Sequence, residues 1–113
     1  MKVKNLINAF NLNVLAEGED REITGGYTSD LLSNVMAHAE EGNLWITVQR
    51  HMNIIAVAQL KKISAIIIAN GGMPDSEVIK KAKGEGIFLL RSNEGAFELS
   101  GKIYNLLIEK SDL

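Results

Sequence analysis

Three polar clusters in this chain carry residue types able to bind or transfer chemical groups. They are Gln49-Arg50-His51-Met52-Asn53, Asn70-Gly71-Gly72 and Arg91-Ser92-Asn93-Glu94. Each directly follows an apolar run, and a fourth segment, Gly25-Gly26-Tyr27, reads as a turn ahead of a helical pattern. Together they offer amide, imidazole and hydroxyl groups beside the backbone N–H groups of glycine turns. Next to helix N-termini that set suits a carboxylate or a phosphate. The ligand-binding residues read this way are Gly25, Gly26, Tyr27, Ser29, Asp30, Gln49, His51, Asn53, Asn70, Gly71, Gly72 and Ser92.

Each cluster also has a purely structural reading. Gly71-Gly72 fits a turn that needs positive φ better than a phosphate cradle, and no Gly-Lys-Ser/Thr follows to make it a P-loop. Gly25-Gly26 lacks the third glycine of a dinucleotide fingerprint. His51, just after a strand, reads first as a hydrogen-bonded loop histidine, and His38 as packing or surface. Trp45 and Tyr27 offer rings that stack a base, but core or interface packing is the simpler use for both. Asp30 and Glu94 read as caps rather than acids. No Ser/His/Asp order, HExxH or EF-hand loop is present, so no catalytic residue and no metal ligand is assigned, and no cofactor is expected. A binding or regulatory module is favoured over an enzyme.

The elements that must position these clusters are legible from periodicity. Val3, Leu6, Ile7 and Phe10 recur at helical spacing. Leu12, Val14 and Leu15 predict a first short strand, and Glu17-Gly18-Glu19-Asp20 a charged turn. Arg21–Thr24 reads as a second strand running into Gly25-Gly26, with Ser29 or Thr28 capping a helix over Leu31–Ala39 and Gly42 ending it. Leu44–Val48 is a strand, Asn53–Ile63 a helix, and Ala65–Ala69 a strand buried on both faces. Asp75 or Ser76 caps a helix over Ser76–Lys83. Ile87–Leu90 is the next strand, and Gly95–Lys110 the closing helix with Phe97, Leu99, Ile103, Leu106 and Leu107 as its apolar set. The fold expected is α/β: one domain over 1–113, a mostly parallel sheet flanked by helices, with a βαβαβα C-terminal half. In such a sheet the strand C-termini share one edge, which is where the polar clusters fall.

Composition excludes several classes. With 46% hydrophobic residues the chain holds enough apolar mass for a core. A net charge of -2 with mixed signs argues against nucleic acid as a partner. No cysteine is present, which fits a reducing cytoplasm. No apolar run approaches the roughly 20 residues that span a bilayer, and the N-terminus lacks a signal-peptide pattern. A cytoplasmic location and no membrane contact are expected.

Three stretches carry a family resemblance: Gly25-Gly26-Tyr27-x-Ser29-Asp30-Leu31-Leu32-Ser33, Trp45-Ile46-Thr47-x-Gln49-x-His51-x-Asn53-Ile54, and Ile67-Ile68-x-Asn70-Gly71-Gly72-x-Pro74. In this order they resemble the DRTGG domain family, and the late Ala96-Phe97-Glu98-x-x-Gly101 extends the likeness over essentially the whole chain. The sequence is most similar to small stand-alone members, often labelled as like HPr serine kinase and commonly found near iron-only hydrogenase genes. Larger relatives carry the domain beside CBS domains, in an inorganic pyrophosphatase and in some phosphate acetyltransferases. The resemblance implies a regulatory or dimer-forming role. Asn70-Gly71-Gly72 stands where the family has Thr-Gly-Gly, and only Asp30 matches the acidic position of its Gly-Asp-Arg. The kinase activity of HPr kinase belongs to a P-loop domain, so phosphotransfer is not carried over.

Two functions follow as expectations. One is a homodimeric sensing domain that binds a small anionic ligand, an adenine nucleotide among the candidates, at the strand-end loops. The other is an assembly factor for a metalloenzyme such as the hydrogenase, with Trp45 and the N-terminal helix as its interface.

Overall fold

The computed structural model describes residues 1–111. Ten elements alternate along them: α1 (Val3–Phe10), β1 (Asn13–Ala16), β2 (Gly25–Thr28), α2 (Leu32–His38), β3 (Asn43–Thr47), α3 (Asn53–Lys61), β4 (Ala65–Ile68), α4 (Ser76–Gly84), β5 (Phe88–Arg91) and α5 (Ala96–Ser111). The strands form one sheet in the order β1-β5-β4-β3-β2. β2, β3, β4 and β5 run parallel, and β1 pairs antiparallel with β5. The expected α/β class and its βαβαβα second half are present.

Alternation along the central strands divides the apolar residues between two cores. Ile66 and Ile68 of β4, Trp45 of β3 and Leu89 of β5 face α2, α3 and α4, where Val35, Ile54, Ala58, Val78 and Ala82 meet them. Ala65, Ile67, Leu44, Ile46, Phe88 and Leu90 face α1 and α5, where Val3, Leu6, Leu99 and Ile103 meet them. All four β4 residues are buried. Each isoleucine so enclosed contributes about 1.5–3 kcal/mol relative to an exposed one. One face of the sheet thus carries three helices and the other carries two.

Helix ends follow local chemistry. Asn11 and Lys62 close α1 and α3 in the left-handed conformation, with φ of 50° and 54°. At Gly18 a Cβ would lie 2.3 Å from the Phe88 backbone nitrogen. Only glycine allows the chain leaving β1 to pass so close to β5.

Several sequence expectations are corrected. Arg21–Thr24 is not a strand; its only sheet-like contact is an isolated bridge between Lys2 and Glu22. The strand is instead Gly25–Thr28, so Gly25, Gly26 and Tyr27 form the sheet's edge and not a turn at its C-terminal end. The glycines misled the reading because strand propensity disfavours them, while ladder bonds to β3 outweigh that preference. α2 begins at Leu32, and neither Ser29 nor Thr28 occupies its N-cap. It ends at His38 with Ala39 as its C-cap, and Gly42 (φ +85°) lies in the following turn. Asp75 takes the N-cap position of α4 without a side-chain capping bond. Phe97, counted among the core residues of α5, is 87% exposed.

Candidate functional site

The C-terminal edge of the sheet gathers the loops after β2, β3, β4 and β5, and two hydrogen-bonded networks hold them. The first joins the loops after β2 and β3. Asp30 Oδ1 accepts from Thr47 Oγ1 and from the Val48 N–H, both at 2.8 Å. Gln49 Nε2 donates to the Asp30 carbonyl at 3.0 Å, and the Gln49 N–H to Thr47 Oγ1 at 3.1 Å. Trp45, fully enclosed, donates its indole N–H to the Ser29 carbonyl at 2.9 Å. Ser29 Oγ accepts from the Leu31 N–H at 3.2 Å. Asp30 therefore acts as a staple between neighbouring loops and not as a helix cap. Of the two uses the sequence left open for Trp45, core and interface packing, the structure shows core, against its place in the assembly-factor alternative.

The second network joins the loops after β4 and β5. Asn70 sits at φ +63° and Gly71 at φ +71°. The Asn70 N–H donates to the Glu94 carbonyl (2.7 Å), the Gly71 N–H to the Ser92 carbonyl (2.8 Å), and the Gly72 N–H more weakly to the Ala69 carbonyl (3.4 Å). Arg91 donates through Nε (3.2 Å) and Nη2 (2.9 Å) to the Gly71 carbonyl. Ser92 Oγ accepts from the Glu94 N–H, and the Glu94 carboxylate takes the Lys102 ammonium in close contact. The turn's N–H groups are engaged inside the protein, so its backbone is a fold-building turn. A phosphate at this edge must be met by side chains.

Between the two networks lies a hollow of about 300 Å³ lined by Val48, Arg50, Ala69, Asn70 and Gly72. This is at the lower limit of size for a small-molecule site. Arg50 packs its stem against Gly72, where an added Cβ would stand 3.0 Å from Arg50 Cδ. Its guanidinium is exposed and has no hydrogen-bond or ion-pair partner among the described residues. Next to it, His51 Nδ1 accepts from the Asn53 N–H at 3.2 Å and so caps the start of α3. With Nδ1 used as an acceptor, the neutral ring carries its proton on Nε2 and can donate from there.

Of the sequence-derived residues, Asn70, Gly71, Gly72 and Ser92 converge in one loop pair, and Ser29, Asp30 and Gln49 in the other. His51 and Asn53 stand at the start of α3. Gly25, Gly26 and Tyr27 are elsewhere, on the edge strand, where the Tyr27 hydroxyl donates to Asn34 Oδ1 (3.0 Å) and its ring stacks on His38 at 6.2 Å. Arg50 was within the sequence cluster but outside the selected set. Its signal was a cation in a strand-end loop with no acidic residue near it in sequence. No group of three or more His, Asp or Glu side chains able to hold a metal exists among the described residues. None of their helices is long and apolar enough to cross a membrane.

A second concavity, about 630 Å³, lies on the two-helix face between β2 and α5. Gly26, Leu44, Ile46, Phe97, Ile103, Tyr104 and Leu107 line it, with Thr28 and Ser100 joined across it by a 2.7 Å hydroxyl contact. Sequence reading missed this groove because it takes shape only where the edge strand meets α5.

Comparison with known proteins places these features in a family. The model of the DRTGG domain matches residues 5–106. No curated protein is significantly similar to the chain. Among solved structures, the CBS and DRTGG domains of the regulatory region of Clostridium perfringens pyrophosphatase, complexed with its activator diadenosine tetraphosphate, superpose with a TM-score of 0.68 at 18% identity. That match covers 87% of this chain but 44% of the other, so it carries the fold.

Proposed function

The chain belongs to the DRTGG domain family, and from that premise we propose that it is a regulatory, ligand-sensing domain acting by binding and not by turnover. It works as a homodimer and takes a small anionic ligand, an adenine nucleotide first among the candidates, at the C-terminal ends of β3 and β4. Arg50 carries the reading: a guanidinium without a partner among the described residues, on the wall of a hollow that Asn70 also lines. Arginine suits this role because its planar fork matches phosphate oxygens in pairs. The neighbouring His51 adds a donor at Nε2, and the staples around Asp30 and Gly71 tie each of the two loops to its outer neighbour. The nucleotide is favoured because the structurally similar pyrophosphatase region was crystallised with diadenosine tetraphosphate as activator.

Calorimetric titration with inorganic phosphate, AMP, ADP, ATP and diadenosine polyphosphates tests the reading. A hydrogen bond to a charged group contributes about 1.5–3 kcal/mol. Arg50→Ala is therefore expected to weaken the best ligand at least about tenfold. Failure of every compound to bind the unmodified protein, or equal affinity in Arg50→Ala, contradicts the proposal.

A further inference from the structure

We infer that the ligand of the strand-end hollow is an organic phosphomonoester, a single phosphate on a carrier with an apolar part, and that Gly72 positions Arg50 to receive it. This rests on the ligand-sensing reading above and narrows the class of molecule that the hollow admits.

The loop leaving β3 sorts its side chains to two sides. Val48 and Arg50 both line the hollow. Gln49, between them, turns away and donates to the Asp30 carbonyl. The hollow therefore sets an exposed apolar group, Val48, beside a guanidinium. Inorganic phosphate uses only the second. A phosphate ester uses both, with its anionic end on the Arg50 fork and the neighbouring His51 donor, and its carrier against Val48.

Charge limits the phosphates to one. Among the described residues that line the hollow, Arg50 alone is charged. Arg91, the other guanidinium of this edge, is engaged with the Gly71 carbonyl. The surrounding loops carry acids: Asp30 after β2, Asp75 after β4 and Glu94 after β5. A phosphomonoester brings a charge of about −1.5 to −2 at pH 7, and the hollow offers it a guanidinium and a histidine donor. Further phosphates would reach toward those acids.

The usual aids to polyphosphate binding are also committed elsewhere. The N–H groups of Asn70, Gly71 and Gly72 donate to protein carbonyls and form no cradle. Magnesium bound with a polyphosphate is commonly held by one or two carboxylates. Here Asp30 already accepts from Thr47 and the Val48 N–H, and Glu94 from Lys102.

Gly72 keeps the guanidinium in place. Unlike Gly71, it has no positive φ, so backbone conformation does not demand glycine there. Contact does. A Cβ would stand 3.0 Å from Arg50 Cδ and 3.2 Å from Ile68 Cγ2. Ile68 is enclosed in the core, so the arginine stem is the group that gives way.

Calorimetric titration of the full chain with AMP, inorganic phosphate and ATP with magnesium reads the class, at one ionic strength because charge is being compared. AMP is expected to bind tightest, with inorganic phosphate and ATP each at least about tenfold weaker. ATP at or above the affinity of AMP overturns the single phosphate, and inorganic phosphate at that affinity overturns the ester. Either result leaves the ligand-sensing reading standing. Silence from all three compounds overturns both. Gly72→Ala, with folding confirmed by circular dichroism, is expected to weaken AMP at least about threefold and to add nothing in an Arg50→Ala background. An equal loss in both backgrounds, or none in either, overturns the assignment of Gly72 as a positioning residue.

Discussion

The strand-end edge and the α5 flank are built on opposite plans. At the strand ends, Ser29, Asp30, Thr47, Gln49, Arg91 and Ser92 bond to one another or to loop backbone, so most of the polarity visible there is internal. Among the described residues, the Arg50 guanidinium is left without such a partner, with the His51 Nε2 donor beside it. On the α5 flank the proportions reverse: the two hydroxyls satisfy each other, and the rings of Phe97 and Tyr104 are left to solvent. The contrast shows that candidate chemistry is better judged by what a residue has left to bind than by its type. A polar cluster whose members are mutually bonded fixes geometry, whereas an unengaged group beside it is what a ligand or partner meets.

That contrast can be tested by substitution. Asp30→Ala is expected to have the largest effect, destabilising the fold by about 1.5–3 kcal/mol, because the buried Thr47 hydroxyl and the Val48 N–H lose a charged acceptor. Urea unfolding measures it, and a change within about 0.5 kcal/mol would show that the loop network is ornamental. Gly71→Ala follows at about 1–2 kcal/mol, since an L-residue is strained at φ +71° and the new methyl would stand 3.2 Å from Asn93 Oδ1. Gly101→Ala should act with the opposite sign. In dilute solution it is expected to stabilise the helix by about 0.5–1 kcal/mol, because no neighbour meets the added methyl. Equal signs for the two glycines would erase the distinction between the regions. The smallest effect belongs to Phe97→Ser compared with Phe97→Asp in dilute solution: unfolding free energies within about 0.5 kcal/mol of each other, as for an exposed site.

Much of this architecture could be read from the sequence. The apolar run at Ala65 to Ala69 and the β-branched stretch at Leu44–Val48 gave the central strands, because a strand covered on both faces admits little else. The edge strand was not legible. Gly25-Gly26 reads as a turn by local preference, and only pairing with Asn43 and Leu44 across the chain makes it a strand. For the site, the clustering of strand-end loops followed from parallel topology. Whether Gly71 or Arg50 was the group left available depended on where Ser92 and Glu94 carbonyls fell, which no local pattern encodes. Phe97 was misplaced for a related reason. Both faces of α5 carry apolar residues, so spacing alone cannot say which face meets the sheet.

The most direct test of the division of labour is an amide-resolved NMR titration of the uniformly labelled protein with ATP. Shifts concentrated on Val48–Asn53 and Ala69–Gly72, with Gly26, Gly101 and Tyr104 unmoved, are the predicted result. Shifts centred on Gly26, Gly101 and Tyr104, with the strand-end loops silent, would contradict it.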